Sequence, residues 1–235
     1  ATPTALMVGI GKAAEQNILI KDATALEEMR RVDTMVIDKT GTLTIPNETG
    51  ETLKSYAHEA MEGLAAQGIE VYMISGDREE RVAKIAAEAH IPHYRAEVLP
   101  QDKEDLVRQL QQEGRHVAMV GDGINDSQAL ATADVSVAMG KGTDVAMEVA
   151  QVTLMGTDLR RLSDAISLSQ RTVTMIHQNL FWAFIYNIVC IPLAAGVPHL
   201  FGLSWHITPM WAAALMAFSS VSVVLNSLRL KLKKR

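Results

Sequence analysis

Cysteine is almost missing from this sequence. A single Cys190 in 235 residues excludes an internal disulfide framework and a cysteine-rich zinc site, and it assigns the soluble part to a reducing compartment. No internal repeat, low-complexity tract, initiator Met or signal peptide is present. The opening, ATPTALMVGIGKAAEQNILIK, starts abruptly, as a fragment or an edited chain would. The most informative absence is of charge: between Gln178 and Leu228 there is no Asp, Glu, Lys or Arg, whereas charged residues run through everything before Arg171. That contrast separates a soluble region from a lipid-embedded one. The net charge of -5 argues against nucleic acid as a partner.

The uncharged region is interrupted by PHLFGLSWHITP, leaving segments of about 179–197 and 210–228, each close to the ~20 residues that span a bilayer. The reading is a two-helix transmembrane hairpin in contact with membrane lipid. Two buried helices of a large soluble core are the alternative, but no other part of the chain is large enough to wrap them. Arg171 before the hairpin and LRLKLKKR after it put both ends in the cytoplasm by the positive-inside rule. His199 and His206 then face outward.

Before the hairpin, the apolar runs DTMVID, EVYMIS, HVAMVG, VSVAM and VTLM alternate with helical patterns, which predicts an α/β fold with a parallel sheet covered on both faces. Helices are expected over 23–31, 52–67, 78–89, 101–113, 125–131, 143–149 and 158–178. In such sheets chemistry gathers at the carboxyl ends of strands near a topological switch point. Three strands here end in a carboxylate or hydroxyl: VIDKTGT, MISGD and MVGDGIND. Asp38 is placed to attack a phosphoryl group, and Asp122 with Asp126 offers hard oxygens suited to Mg2+. Ser75 and Lys103 are placed to donate to phosphoryl oxygens. Singly, each has a plainer reading, a turn-forming Asp or a solvated helix Lys; together and in this order they point to phosphoryl transfer.

DKTGTLT, LPQDK and GDGINDSQAL, with the entry segment ATPTALMVGIGKAAE, resemble P-type ATPases, whose phosphorylation domain is of the haloacid dehalogenase-like, Rossmann-type fold. The resemblance implies that Asp38 is phosphorylated, with Lys39 and Thr40 flanking it and Lys103 beside it. It implies Mg2+ at Asp38, Thr40 and Asp122, with Asn125 and Asp126 completing the hinge motif. Ser75, Gly76 and Asp77 stand where the family usually has Thr-Gly-Asp, and Ser keeps the hydroxyl. Related phosphatases carry an acid/base carboxylate two residues after the nucleophile. Thr40 occupies that place, which implies a longer-lived aspartyl phosphate suited to energy coupling.

In the hairpin, FIYNIVCIP carries Tyr186 and Asn187, and LMAFSSVSVVLNSL carries Met216 and Ser220 at i and i+4, on one helical face. A thioether suits Cu(I), and an uncharged site disfavours hard divalent ions. Read without a family, such residues are better explained by helix packing. YN followed by MxxSS resembles the last two helices of the copper-transporting branch of P-type ATPases. That implies Cu(I) at Tyr186, Asn187, Met216 and Ser220, delivery by a copper chaperone, and export from the cytosol. Cys190 matches no family position, and packing explains it. Pro192 is expected to kink or end its helix.

The resemblance divides the chain into 1–21, continuing a missing transmembrane helix into the cytoplasm, 22–170, the phosphorylation domain, and 171–235, the hairpin with a basic tail. The nucleotide-binding insertion is absent near 45–52. No His-Pro dipeptide and no Gly-rich nucleotide loop occurs there, so ATP binding is expected only through a domain this chain lacks. The actuator domain is missing too. Thr49 to Glu51 spell the actuator's TGE only as a tripeptide, and Thr52 reads as the start of a helix. On this reading the isolated chain is not a competent pump. The rivals are a membrane-tethered phosphatase, against which Thr40 argues, and a noncatalytic scaffold.

Overall fold

The computed structural model describes residues 2–47, 50–121, 124–140, 150–197 and 208–232. They form two compact units, residues 13–170 and residues 1–12 with 171–235. The first is an α/β unit. Its seven-stranded sheet contains β1 (Ile18–Ile20), β2 (Thr34–Asp38), β5 (Glu70–Ile74), β6 (His93–Arg95), β7 (Val117–Gly121), β8 (Val135–Met139) and β9 (Val152–Leu154), in the order β1-β9-β8-β7-β2-β5-β6. All neighbours run parallel except β1 and β9. Every residue of β2, β7 and β8 is buried, as expected of central strands covered on both faces and written as unbroken apolar runs.

The chain passes from β2 outward to β5 and β6, then returns to the other side of β2 for β7, β8 and β9. Strand order therefore reverses between β2 and β7, where Ile37 pairs with Val120 and the next residue is Asp38. This crevice is the place where an open α/β sheet leaves room for a ligand. Helices α2 (Ala23–Arg31), α3 (Ala57–Ala66), α4 (Glu79–Glu88), α5 (Pro100–Gln112) and α6 (Ser127–Thr132) bury apolar stripes in this unit. Asp22 caps α2, its side chain accepting from the Ala25 N–H at 2.8 Å. Pro100 opens α5, where its missing N–H costs nothing, and Asp102 accepts from the Leu99 N–H at 2.8 Å.

Helix α1 (Thr2–Glu15) is followed by β1, an edge strand too short to announce itself in sequence. One expectation is corrected here. The helix expected over 52–67 begins only at Ala57, because β3 (Thr44–Asn47) and β4 (Gly50–Leu53) form an antiparallel hairpin with Thr44 opposite Leu53 and Asn47 opposite Gly50. Hairpin pairing overrides the helical propensity of the residues after Glu51. The helix expected over 143–149 lies outside the described residues.

The second unit contains most of α1 (Thr2–Glu15), α7 (Arg160–Ala194) from Arg171 onward, and α8 (Pro209–Leu232). Among the described residues one helix, α7, is long and apolar enough to cross a membrane, and 213–229 is a shorter apolar stretch. Helix α7 ends two residues after Pro192. Gly9 of α1 meets Thr172 of α7 so closely that a Cβ on Gly9 would lie 2.4 Å from Thr172 Cγ2, so glycine is what permits this crossing. Between α7 and α8, Asn179 donates to Ser227 Oγ at 2.9 Å and accepts from Asn226 Nδ2 at 2.8 Å.

Candidate active site

Asp38 closes β2 and stands at the switch point, almost fully buried. The chain then turns sharply through Lys39–Leu43, with Gly41 at φ 76°, a left-handed conformation that glycine adopts without a Cβ clash. Lys54 braces this loop by donating to the Gly41 carbonyl, and Thr44 Oγ1 donates to the Lys39 carbonyl at 3.0 Å. The carboxylate of Asp38 is thus held on a tied loop.

Lys103, in the first turn of α5, reaches across to this loop. Its Nζ lies 2.6 Å from Asp38 Oδ1 and 2.7 Å from Asp126 Oδ1, and all three residues are buried. Burial works to lower the Lys103 pKa, but the two carboxylates outweigh it and hold it above its ordinary 10.5. The result is an ammonium seated between two carboxylates. Asp126 is held where it is because Gly121 has no side chain: a Cβ there would sit 2.6 Å from Asp126 Oδ2.

On the other flank Lys39 is 1% exposed, yet its Nζ pairs with Asp77 Oδ2 at 2.7 Å and with Glu51. Burial opposes its charge here too, and the hydrogen bonds it donates to Asp77 and Glu51 override that and raise its pKa. Ser75, at the end of β5, accepts the Asp77 N–H at 3.2 Å, which leaves its hydroxyl proton available to an incoming acceptor. Asp38, Thr40, Ser75, Gly76, Asp77, Lys103, Asn125 and Asp126 together line a cavity of about 390 Å³. Of the residues read from the sequence for phosphoryl transfer, Lys39 alone among those described stands behind the cavity wall. Asp122 lies outside the described residues.

The donor set suits Mg2+. Asp38 and Asp126 present hard carboxylate oxygens to one open, polar cavity, the ligand chemistry that ion prefers. Lys103 already supplies one positive charge there.

The hairpin residues fall differently. Tyr186 lines a cavity of about 250 Å³ with Asn179, Trp182, Ser222, Val223 and Asn226. Asn187, Met216 and Ser220 are exposed, and Ser220 Oγ donates to its own helix at the Met216 carbonyl, 3.2 Å away. The described structure brings Tyr186 together with Asn179 and Asn226, not with Met216. Sequence reading overlooked Asn179, Asn226 and Ser227, although they are polar residues inside the uncharged stretch, and it overlooked the pairing of Glu51 with Lys39.

Comparisons with known proteins agree with this geometry. A family model described as haloacid dehalogenase-like hydrolase matches residues 46–134. The copper-exporting P-type ATPase of Legionella pneumophila is 34% identical over 346 residues, covering 98% of this chain and 47% of that protein. A probable copper-importing P-type ATPase A of Enterococcus hirae is 49% identical over 185 residues, covering 78% of this chain and 24% of that protein. The chain thus spans less than half the length of these relatives. The 346-residue match also exceeds the 235 residues present, so the Legionella protein carries internal residues without counterparts here. A zinc-transporting PIB-type ATPase in the E2.Pi state superimposes with a TM-score of 0.84 at 26% identity, over 97% of this chain and 55% of that one. With a buried aspartate at the switch point, its lysine partner and these relatives, the chain belongs to the P-type ATPases, and its α/β unit is their haloacid dehalogenase-like phosphorylation domain.

Proposed function

We propose that the chain is the phosphorylation-domain and membrane-hairpin part of an ATP-driven Cu(I) transporter, which couples formation and hydrolysis of an aspartyl phosphate to ion movement. The observation that carries this reading is the Asp38 carboxylate 2.6 Å from the Lys103 ammonium, in a cavity also lined by Thr40, Ser75 and Asp126. An Asp38 oxygen attacks the terminal phosphoryl group of ATP; a new O–P bond forms as the bond to the leaving ADP breaks. Lys103 offsets charge on the phosphoryl oxygens, and Ser75 donates its free hydroxyl proton to one of them. Mg2+, which the resemblance assigns to Asp38, Thr40 and Asp122, would supply further charge neutralisation when bound. Lys39, locked by Asp77 and Glu51, keeps the nucleophile loop fixed. Thr40 offers no acid or base at neutral pH, so water is not activated from that position and the aspartyl phosphate persists.

On this reading the residues without counterparts here belong to the nucleotide-binding insertion, absent near 45–52. The chain by itself is then not a pump. Copper as cargo rests on the relatives' names and on the uncharged, thioether-bearing hairpin, with Tyr186, Asn187, Met216 and Ser220 as Cu(I) ligands and a copper chaperone as donor. The exposed apolar side chains Phe181, Trp182, Ile188, Trp211 and Phe218 support a multi-pass membrane setting with the α/β unit cytoplasmic. Relatives are named for export and for import, and export is the direction we adopt.

The test is phosphorylation by labelled ATP and by labelled acetyl phosphate, comparing wild type with Asp38→Asn. Acetyl phosphate is expected to label the wild type alone, with ATP ineffective in the absence of a nucleotide-binding domain. Equal labelling of Asp38→Asn, or none of the wild type, would refute the assignment.

A further inference from the structure

Away from the catalytic cavity, three side chains of the α/β unit converge at its surface. His58 and Glu62 lie one turn apart on α3, with His58 Nε2 3.7 Å from Glu62 Oε1. His90 follows α4, and its ring centroid is 4.0 Å from that of His58, the planes inclined by 53°. One ligand atom from each of the three lies within 4.8 Å of the other two, and all three residues are exposed. We propose that His58, Glu62 and His90 form a binding site for a divalent first-row transition ion of the Zn2+ type, which clamps α3 to the end of α4.

The spacing comes from the helix. Residues at i and i+4 share one face, so His58 and Glu62 present an imidazole and a carboxylate side by side. Two imidazoles and a carboxylate are a donor set that Zn2+, Co2+ and Ni2+ accept with water in the remaining position. Mg2+ prefers all-oxygen surroundings and is disfavoured here. Cu(I) prefers the softer sulfur donors of thiolate or thioether. The site is therefore chemically distinct from both Asp38 and the hairpin. Bound ligand atoms stand closer together than 4.8 Å, and exposed side chains are free to rotate inward by the difference.

The backbone supplies an independent observation. His90 has φ 56°, in the left-handed region, and ends α4 in a double-bonded cap: its N–H reaches the Ala87 carbonyl at 3.2 Å and the Ile91 N–H reaches the Ala86 carbonyl at 2.9 Å. Glycine is the residue this cap favours, because a Cβ is penalised there. Gly68 and Gly114 fill comparable positions after α3 and α5, at φ 78° and 85°. At the end of α4 the chain carries instead a side chain that reaches His58. A metal ligand at this cap accounts for the exchange.

The experiment uses the full chain in detergent, with excess Mg2+ so that the carboxylates around Lys103 are saturated. Zn2+ is titrated while thermal unfolding of the α/β unit is followed, and Co2+ is titrated while visible absorption is read. Wild type is expected to bind one equivalent and to unfold at higher temperature. At free Zn2+ about a hundred times the dissociation constant, the folding equilibrium shifts by roughly a hundredfold. His90→Gly is expected to be at least as stable as wild type without metal, since glycine suits the cap, and to lose the Zn2+ response and the Co2+ bands. Glu62→Gln should weaken both. No Zn2+ response in wild type, or an equal response in His90→Gly, would overturn the site; in the first case the two rings merely pack against each other, and in the second the ion sits elsewhere.

Discussion

In the α/β unit Lys103 lies between Asp38 and Asp126 at 2.6 and 2.7 Å, whereas in the helical unit Asn179 lies between Ser227 and Asn226 at 2.9 and 2.8 Å. Both are three-residue networks centred on one buried bridging side chain, and they differ in charge. Burying an ion costs several kcal/mol unless an opposite charge and hydrogen bonds offset it, so Lys103 is tolerated only because two carboxylates face it. A phosphoryl-transfer site needs that stored charge. In an apolar helical unit with no charged residue between Gln178 and Leu228, the equivalent bridge is made with amides and a hydroxyl, which hold helices together at a lower desolvation cost. The two units bury polar groups for different ends: one keeps charge ready for chemistry, the other fixes helix register.

Removing the charged bridge should have the largest effect. Lys103→Met leaves Asp38 and Asp126 buried without their counter-ion, and the α/β unit should lose about 3–5 kcal/mol, as broken buried pairs do. Urea unfolding of the full chain in detergent measures this, and added Mg2+ should recover part of the loss. A change below about 1 kcal/mol, the level of an exposed ion pair, would erase the contrast between the two networks.

Alkaline titration separates them more finely. Lys39 and Lys103 have folded pKa values raised above 10.5, so their contribution to stability is fully present below that pH and is lost as pH rises through the folded values. Tyr72, raised above its ordinary 10.0 mainly by burial and then by Glu70, loses stability in the same direction. Stability of the α/β unit should therefore fall above about pH 10 to 10.5, where the unperturbed groups titrate. The fall should be shallower in Lys103→Met, and Asn179 substitutions should leave it unchanged.

Most of the charged network was legible in the sequence and little of the uncharged one was. Central strands such as MVID and VAMVG are local apolar runs, and the switch-point rule points to Asp38 and Ser75 at their ends and to Asp126 in the loop that follows β7. Lys103 was legible through the LPQDK resemblance. What failed was short or long-range. The edge strands β1 and β6 have three residues each, too few for a period, and the last two residues of β4 read as the start of a helix because their pairing with β3 is invisible in their own composition. For the same reason Glu51 was not seen as the partner of Lys39. In the hairpin, Met216 and Ser220 stood out by chemistry, but helix partners depend on rotation about the axis, which no single helix encodes. The structure seats Tyr186 beside Asn179 and Asn226, residues that ligand chemistry alone did not single out.

The smallest effect is expected where the amide bridge is cut. Asn179→Ala removes a donor to Ser227 and an acceptor for Asn226, yet Ser227 keeps another partner: its Oγ also donates to the Val223 carbonyl of its own helix at 2.9 Å. Interhelical hydrogen bonds of this kind contribute about 0.6 kcal/mol on average, and at most about 1.7. A detergent-denaturation series on Asn179→Ala, Ser227→Ala and the double variant would isolate the coupling, which should fall in that range. A coupling as large as the loss in Lys103→Met would mean that the helical unit, like the α/β unit, depends on one buried polar contact for its fold. A coupling near zero would leave helix packing, including the Gly9 and Thr172 crossing, as the force that holds register there.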